Sequence, residues 1–61
     1  MMDELINTLE TEIALTNKHL EEDKARESDR ILGQFFRGRV AVEQNNLEIF
    51  KRLMDIANRI K

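Results

Sequence analysis

"ILGQFFRGRVAVEQNNLEIFKRLMDIANRI", residues 31–60, is the stretch on which the fold turns. Wound at about 3.6 residues per turn, it sets Ile31, Phe35, Val42, Ile49, Leu53, Ile56 and Ile60 along one stripe. Leu32, Phe36, Val40, Leu47, Phe50 and Met54 form a second stripe beside it. Arg39, Glu43 and Asn46 run between the two. An apolar arc this wide needs more than one neighbour, because a single narrow helix covers only one stripe and an exposed remainder of that size marks an interaction surface.

The N-terminal half supplies one such narrow helix. Met2, Ile6, Leu9, Ile13, Thr16 and Leu20 follow at steps of four and three, Leu5 widens the stripe, and Leu15 falls outside it. Acidic residues at its start complement the helix dipole. Residues 21–30, EEDKARESDR, hold no apolar residue larger than alanine, so the periodicity stops and a turn is expected, with Ser28 or Asp29 capping the second helix. Glu21, Glu22 and Asp23 read as a solvated charge run; a calcium loop would need alternating oxygen ligands and a glycine. One continuous long helix is the alternative.

These elements predict an all-α fold: a two-helix antiparallel hairpin forming a single domain over residues 1–61, with a helix at about 2–23, a turn at about 24–28 and a helix at about 29–60. Helices of ~22 and ~31 residues span about 33 and 46 Å. The C-terminal overhang, KRLMDIANRIK, keeps its apolar period beyond the reach of the first helix. A two-fold pairing of the long helices covers it, giving a four-helix bundle. The dimer or partner interface is then expected at Leu32, Phe36, Arg39, Val40, Glu43, Asn46, Leu47, Phe50 and Met54. Leu15, Phe36 and Val40 are candidates for touching a further target. Arg39, Glu43 and Asn46 would set register, as buried polar residues do in coiled coils.

Composition supports self-association. A chain of 61 residues with no cysteine has neither disulfide nor thiolate metal site to steady a small core. Hydrophobic residues at 41% and charged residues at 36% suit a folded helical protein. No apolar run approaches the roughly 20 residues of a membrane span, and MMDELINTLE lacks the basic-then-apolar layout of a signal peptide, so a cytoplasmic protein that binds no membrane is expected.

Charge is divided between the halves. Residues 1–29 carry nine acidic and three basic side chains, and residues 30–61 three acidic and seven basic. Oppositely charged helices lying side by side account for this, and a basic surface for nucleic acid is the sharper alternative. Its candidate contacts are Arg30, Arg37, Lys51, Arg52 and Arg59 on the outer side of the second helix.

Catalytic chemistry has no foothold. His19 is the only histidine and has no second nitrogen or sulfur ligand for zinc. No serine or threonine is flanked by a base in a nucleophile's arrangement. No catalytic residue, metal site or cofactor is predicted, and the chain reads as a non-enzyme. Gly33 and Gly38 sit in helical periodicity rather than between a strand and a helix, so they do not make a phosphate loop. Each costs about 1 kcal/mol against alanine, which close packing must offset. Gly38, at the edge of the first stripe, is expected to admit another helix; for Gly33 a kink and an approaching partner both remain open. Phe35 and Phe36 lie about 100° apart, so one serves the hairpin and the other the dimer.

A short acidic helix, a charged turn and a longer helix with GQFFRGRVAVEQNNLEIFKRLMDI together resemble the small helical-hairpin proteins of bacteriophage and other mobile elements. The resemblance implies a regulator or inhibitor that acts by binding a host enzyme, a defence component or a transcription factor. Rop-type plasmid copy-number regulators are similar in size and in being RNA-binding dimers of hairpins, an analogy of architecture. A homodimeric regulator with a protein target is therefore the first expectation. A nucleic-acid-binding dimer is the second, and a structural or scaffold component the third.

Overall fold

The computed structural model describes residues 1–60 of the chain; Lys61 lies outside them. Two helices, α1 (Met2–Arg26) and α2 (Gly33–Ile60), fold back on each other through residues 27–32. Among the described residues there is no strand, and the rod they form measures 47 × 14 × 11 Å. Met2, Ile6 and Leu9 of α1 pack with Phe50, Met54 and Ala57 of α2, while Asp23 meets Arg39 at the other end, so the hairpin is antiparallel.

The helix α1 opens with Asp3 and Glu4 and closes with Lys24 and Arg26, charges that oppose its dipole at both ends. It runs to Arg26, past the expected end at 23. The residues from Glu21 to Arg26 are mostly good helix formers, and Asp23 continues the spacing of the α1 stripe by facing α2. Within the run EEDKARESDR, expected to be solvated, Asp23 is therefore buried.

The turn is held by short backbone bonds. Glu27 N–H donates to the Lys24 carbonyl at 3.2 Å and Asp29 N–H to the Arg26 carbonyl at 3.1 Å. Asp29 then starts the return: its carboxylate accepts the N–H groups of Ile31 and Leu32, both at 2.8 Å, and its carbonyl accepts Gly33 N–H at 3.0 Å. Of the two capping candidates Asp29 makes the cap, and those two amides hold its carboxyl below the usual range. Residues 30–32 form a turn, so α2 proper begins at Gly33 rather than at 29.

Gly33 is buried at this corner, and a Cβ there would stand 2.7 Å from the Glu27 carbonyl oxygen. The approaching group is thus the chain's own turn. Gly38 differs, since nothing in the hairpin comes within 4 Å of the position its Cβ would take. The other helix expected over Gly38 is not α1.

Along the seam, Ile6, Leu9, Ile13, Thr16, Leu20 and Asp23 face Gly33, Phe36, Val40, Glu43, Leu47, Phe50, Met54 and Ala57. Both series alternate steps of three and four, the spacing of a coiled-coil seam. Ile6, Leu9, Leu20, Val40 and Ala57 are the buried apolar residues, and no large side chain among the described residues is fully withdrawn from solvent. Two helices enclose no interior, so the hairpin is one seam thick.

Candidate protein-binding surface

With the seam occupied, the remaining stripe of α2 is left in water. Phe35 is 58% exposed, Val42 59%, Ile49 44%, Leu53 45%, Ile56 50% and Ile60 67%. On α1, Leu5 and Leu15 are also exposed, and the helical period puts both on the flank that adjoins this stripe in an antiparallel pair. One long face of the hairpin is therefore apolar.

This assignment corrects the expected interface. Phe36, Val40, Glu43, Leu47, Phe50 and Met54 were expected to meet another chain; the structure turns them toward α1, with Val40 buried and the others half-buried. The reason is steric and electrostatic. Gly33 and Ala57 extend that stripe at both ends with small residues, Gly33 under the Glu27 carbonyl and Ala57 against Ile6 and Leu9, and Asp23 finds Arg39 and Glu43 on the same side. Val40 and Phe36 are accordingly poor candidates for a target contact, whereas Leu15 stays exposed. Leu32, Arg39 and Asn46 are exposed, with Arg39 and Asn46 lying among the apolar residues of the free stripe.

The two phenylalanines divide their roles. Phe36 is half-buried in the seam and Phe35 stands outside it, their rings 5.3 Å apart in an edge-to-face contact at 76°. The Arg26 guanidinium lies 5.5 Å over the Phe36 ring and that of Arg39 lies 5.7 Å over Phe35. Below Phe35 an open groove is lined by Gln34, Phe35, Gly38, Arg39, Val42 and Glu43. Gly38 contributes no side chain to it, and nothing else in the hairpin comes within 4 Å of where its Cβ would stand.

A polar cluster crosses the seam next to this groove. Arg39 Nε donates to Asp23 Oδ2 at 3.1 Å, and an Arg39 terminal nitrogen is 3.9 Å from Glu43 Oε1. The carboxyls of Asp23 and Glu43 also meet. A hydrogen bond from Glu43, followed by the Arg39 contact, holds Asp23 below the usual carboxylate range. Burial, followed by the neighbouring Asp23, pushes Glu43 up. Glu43 is therefore the weaker acid of the two. Its Oε2 is buried with no hydrogen-bond partner among the described residues. The signal for this cluster was the continuation of the α1 stripe from Leu20 to Asp23, three residues on.

The basic candidates do not form one free stripe. Arg30, Arg37, Lys51, Arg52 and Arg59 are all exposed, but Arg52 pairs with Glu48 at 3.4 Å and Arg59 hydrogen-bonds Asp55. Both pairs are four residues apart on α2, and they neutralise the positive charge locally. Among the described residues no group of three or more His, Asp or Glu side chains is placed to hold a metal ion, and no helix is long and apolar enough to cross a membrane.

No family model, curated protein or solved structure matches the chain.

Proposed function

We propose that this chain is a non-enzymatic regulatory or inhibitory protein that acts by protein–protein contact as a homodimer, its two hairpins forming a four-helix bundle. The carrying observation is the continuous apolar face of α2 left outside the hairpin seam. An exposed patch of this length, on a chain whose own core is one seam thick, favours a partner that covers it. The resemblance to small hairpin proteins of mobile elements supports a protein target in the cytoplasm.

The nucleic-acid reading has weaker support, because two of its five candidate cations are paired on their own helix. A tagged pull-down from the source cell, with and without nuclease, separates the two. One stoichiometric protein retained after nuclease and lost with Val42→Glu is the expected result. Recovery that depends on DNA or RNA overturns the reading in favour of a nucleic-acid-binding dimer.

A further inference from the structure

Resting on the homodimer reading, we infer that two copies pair chiefly through α2, antiparallel, with Ile56 of each seated over Gly38 of the other. Three observations carry this.

The first is area. Phe35, Val42, Ile49, Leu53, Ile56 and Ile60 are each about half exposed or more. Together with Leu5 and Leu15 they present several hundred Å² of side chain, on the order of the ~800 Å² per partner that a standard stable interface buries. On its adjoining flank α1 offers only Leu5 and Leu15 as large exposed apolar residues. Matching apolar surface to apolar surface therefore sets α2 on α2 rather than α2 on the partner's α1.

The second is the shape of the groove. Phe35, Gly38, Arg39 and Val42, four of the residues that line it, stand at relative positions 0, 3, 4 and 7, the arrangement that receives a knob in a coiled coil. Gly38 adds no side chain to it, and no part of the hairpin enters the space where its Cβ would lie. When the stripe is paired antiparallel with itself, Phe35 aligns with the partner's Ile60, Val42 with the partner's Leu53, and the groove with the partner's Ile56. The two-fold axis passes between Leu47 and Glu48.

The third is charge. A parallel pair would stack Arg39 on the partner's Arg39 within the apolar stripe, two like charges in contact. The antiparallel register separates them, and each guanidinium is already drawn aside to its own Asp23 at 3.1 Å. The same register brings the two Asn46 amides to within about one helical turn of each other across the axis, where they can hydrogen-bond. The Arg52–Glu48 and Arg59–Asp55 pairs remove net repulsion along the flank.

The chain has no cysteine, so a single nitroxide label can be placed at Asn58→Cys or, separately, at Gln44→Cys. Both positions are exposed and off the stripe. Pulsed electron paramagnetic resonance on the full chain, with mass from sedimentation equilibrium, reads orientation and stoichiometry together. The antiparallel pair puts the two Asn58 positions about 32 Å apart along the helix axis and the two Gln44 positions about 10 Å apart. Equal, short distances from both labels overturn the orientation while leaving a dimer. A monomeric mass with no intermolecular distance overturns the dimer itself and assigns the face to a partner of different sequence. Gly38→Leu, whose Cβ meets nothing within 4 Å in the single hairpin, fills the groove and is expected to weaken self-association at least about tenfold. Unchanged association overturns the seating of Ile56.

Discussion

Arg39 donates to Asp23 across the hairpin at 3.1 Å, joining a side chain that is 51% exposed to one that is 5% exposed. The contact ties the last turn of α1 to the second turn of α2. It also draws a guanidinium to the edge of an otherwise apolar stripe. Its strength depends on protonation, because Asp23 shares its surroundings with Glu43.

Stability is expected to peak at mildly acidic pH. Glu43 has a folded-state pKa raised above its ordinary 4.5, so the folded chain binds its proton more tightly, and this contribution is lost as pH rises through the raised value. Asp23 has a pKa lowered from 3.8, so its contribution is present above that value and is lost as pH falls through the depressed one. Asp29 adds to the acid-side loss in the same sense. Thermal melts followed by circular dichroism across this range, comparing wild type with Glu43→Gln, check the point. The substitution should flatten the decline toward neutral pH, and an unchanged profile would contradict a proton held between the two carboxyls.

The two glycines should respond in opposite directions to alanine. At Gly33 the new Cβ meets the Glu27 carbonyl oxygen at 2.7 Å, so the turn must shift, and a net loss of about 1–3 kcal/mol is expected despite alanine's better helix propensity. At Gly38 the Cβ meets nothing within 4 Å, and a gain of about 0.5–1 kcal/mol is expected for the single hairpin. Urea unfolding at low protein concentration measures both.

Neighbouring residues of α2 should separate folding from association. Phe50 packs on the cluster of Ile6, Leu9 and Ala57, so Phe50→Glu places a charge in the seam and should abolish helical circular dichroism at any concentration. Ile49 is exposed on the free stripe. Wild-type Tm should rise with protein concentration, as it does when a dimer binds the folded state, and Ile49→Glu should remove that dependence. A wild-type Tm that ignores concentration would contradict self-association.

Any affinity for nucleic acid should be weak and dominated by salt. Arg30, Arg37 and Lys51 carry what electrostatic attraction remains once Arg52 and Arg59 are paired. Gel-shift titrations should show binding lost between ~50 and ~200 mM salt, and Arg37→Glu should leave protein capture unchanged. Tight, sequence-selective binding at the higher salt would reverse the order of the two readings.

The all-α class and the two helices were legible in the sequence, as were the α1 stripe from Met2 to Leu20 and both stripes of α2. Each is a periodicity, and a periodicity belongs to one helix taken alone. The capping role of Asp29 was legible for the same reason, since its partners are two and three residues away. Which α2 stripe α1 takes was a different kind of question. Both are apolar and similar in length, so pattern does not distinguish them. The tertiary structure decided it through pairs: Gly33 admits the Glu27 carbonyl of the turn, Ala57 packs with Ile6 and Leu9, and Asp23, one of a run of acids in the sequence, meets Arg39 and Glu43 only when the helices are in this register. That choice left Phe35, Val42, Ile49, Leu53, Ile56 and Ile60 outside. Local spacing determines which side chains share a face, while contact between faces depends on shape and charge complementarity across distant parts of the chain, which no single stretch of sequence contains.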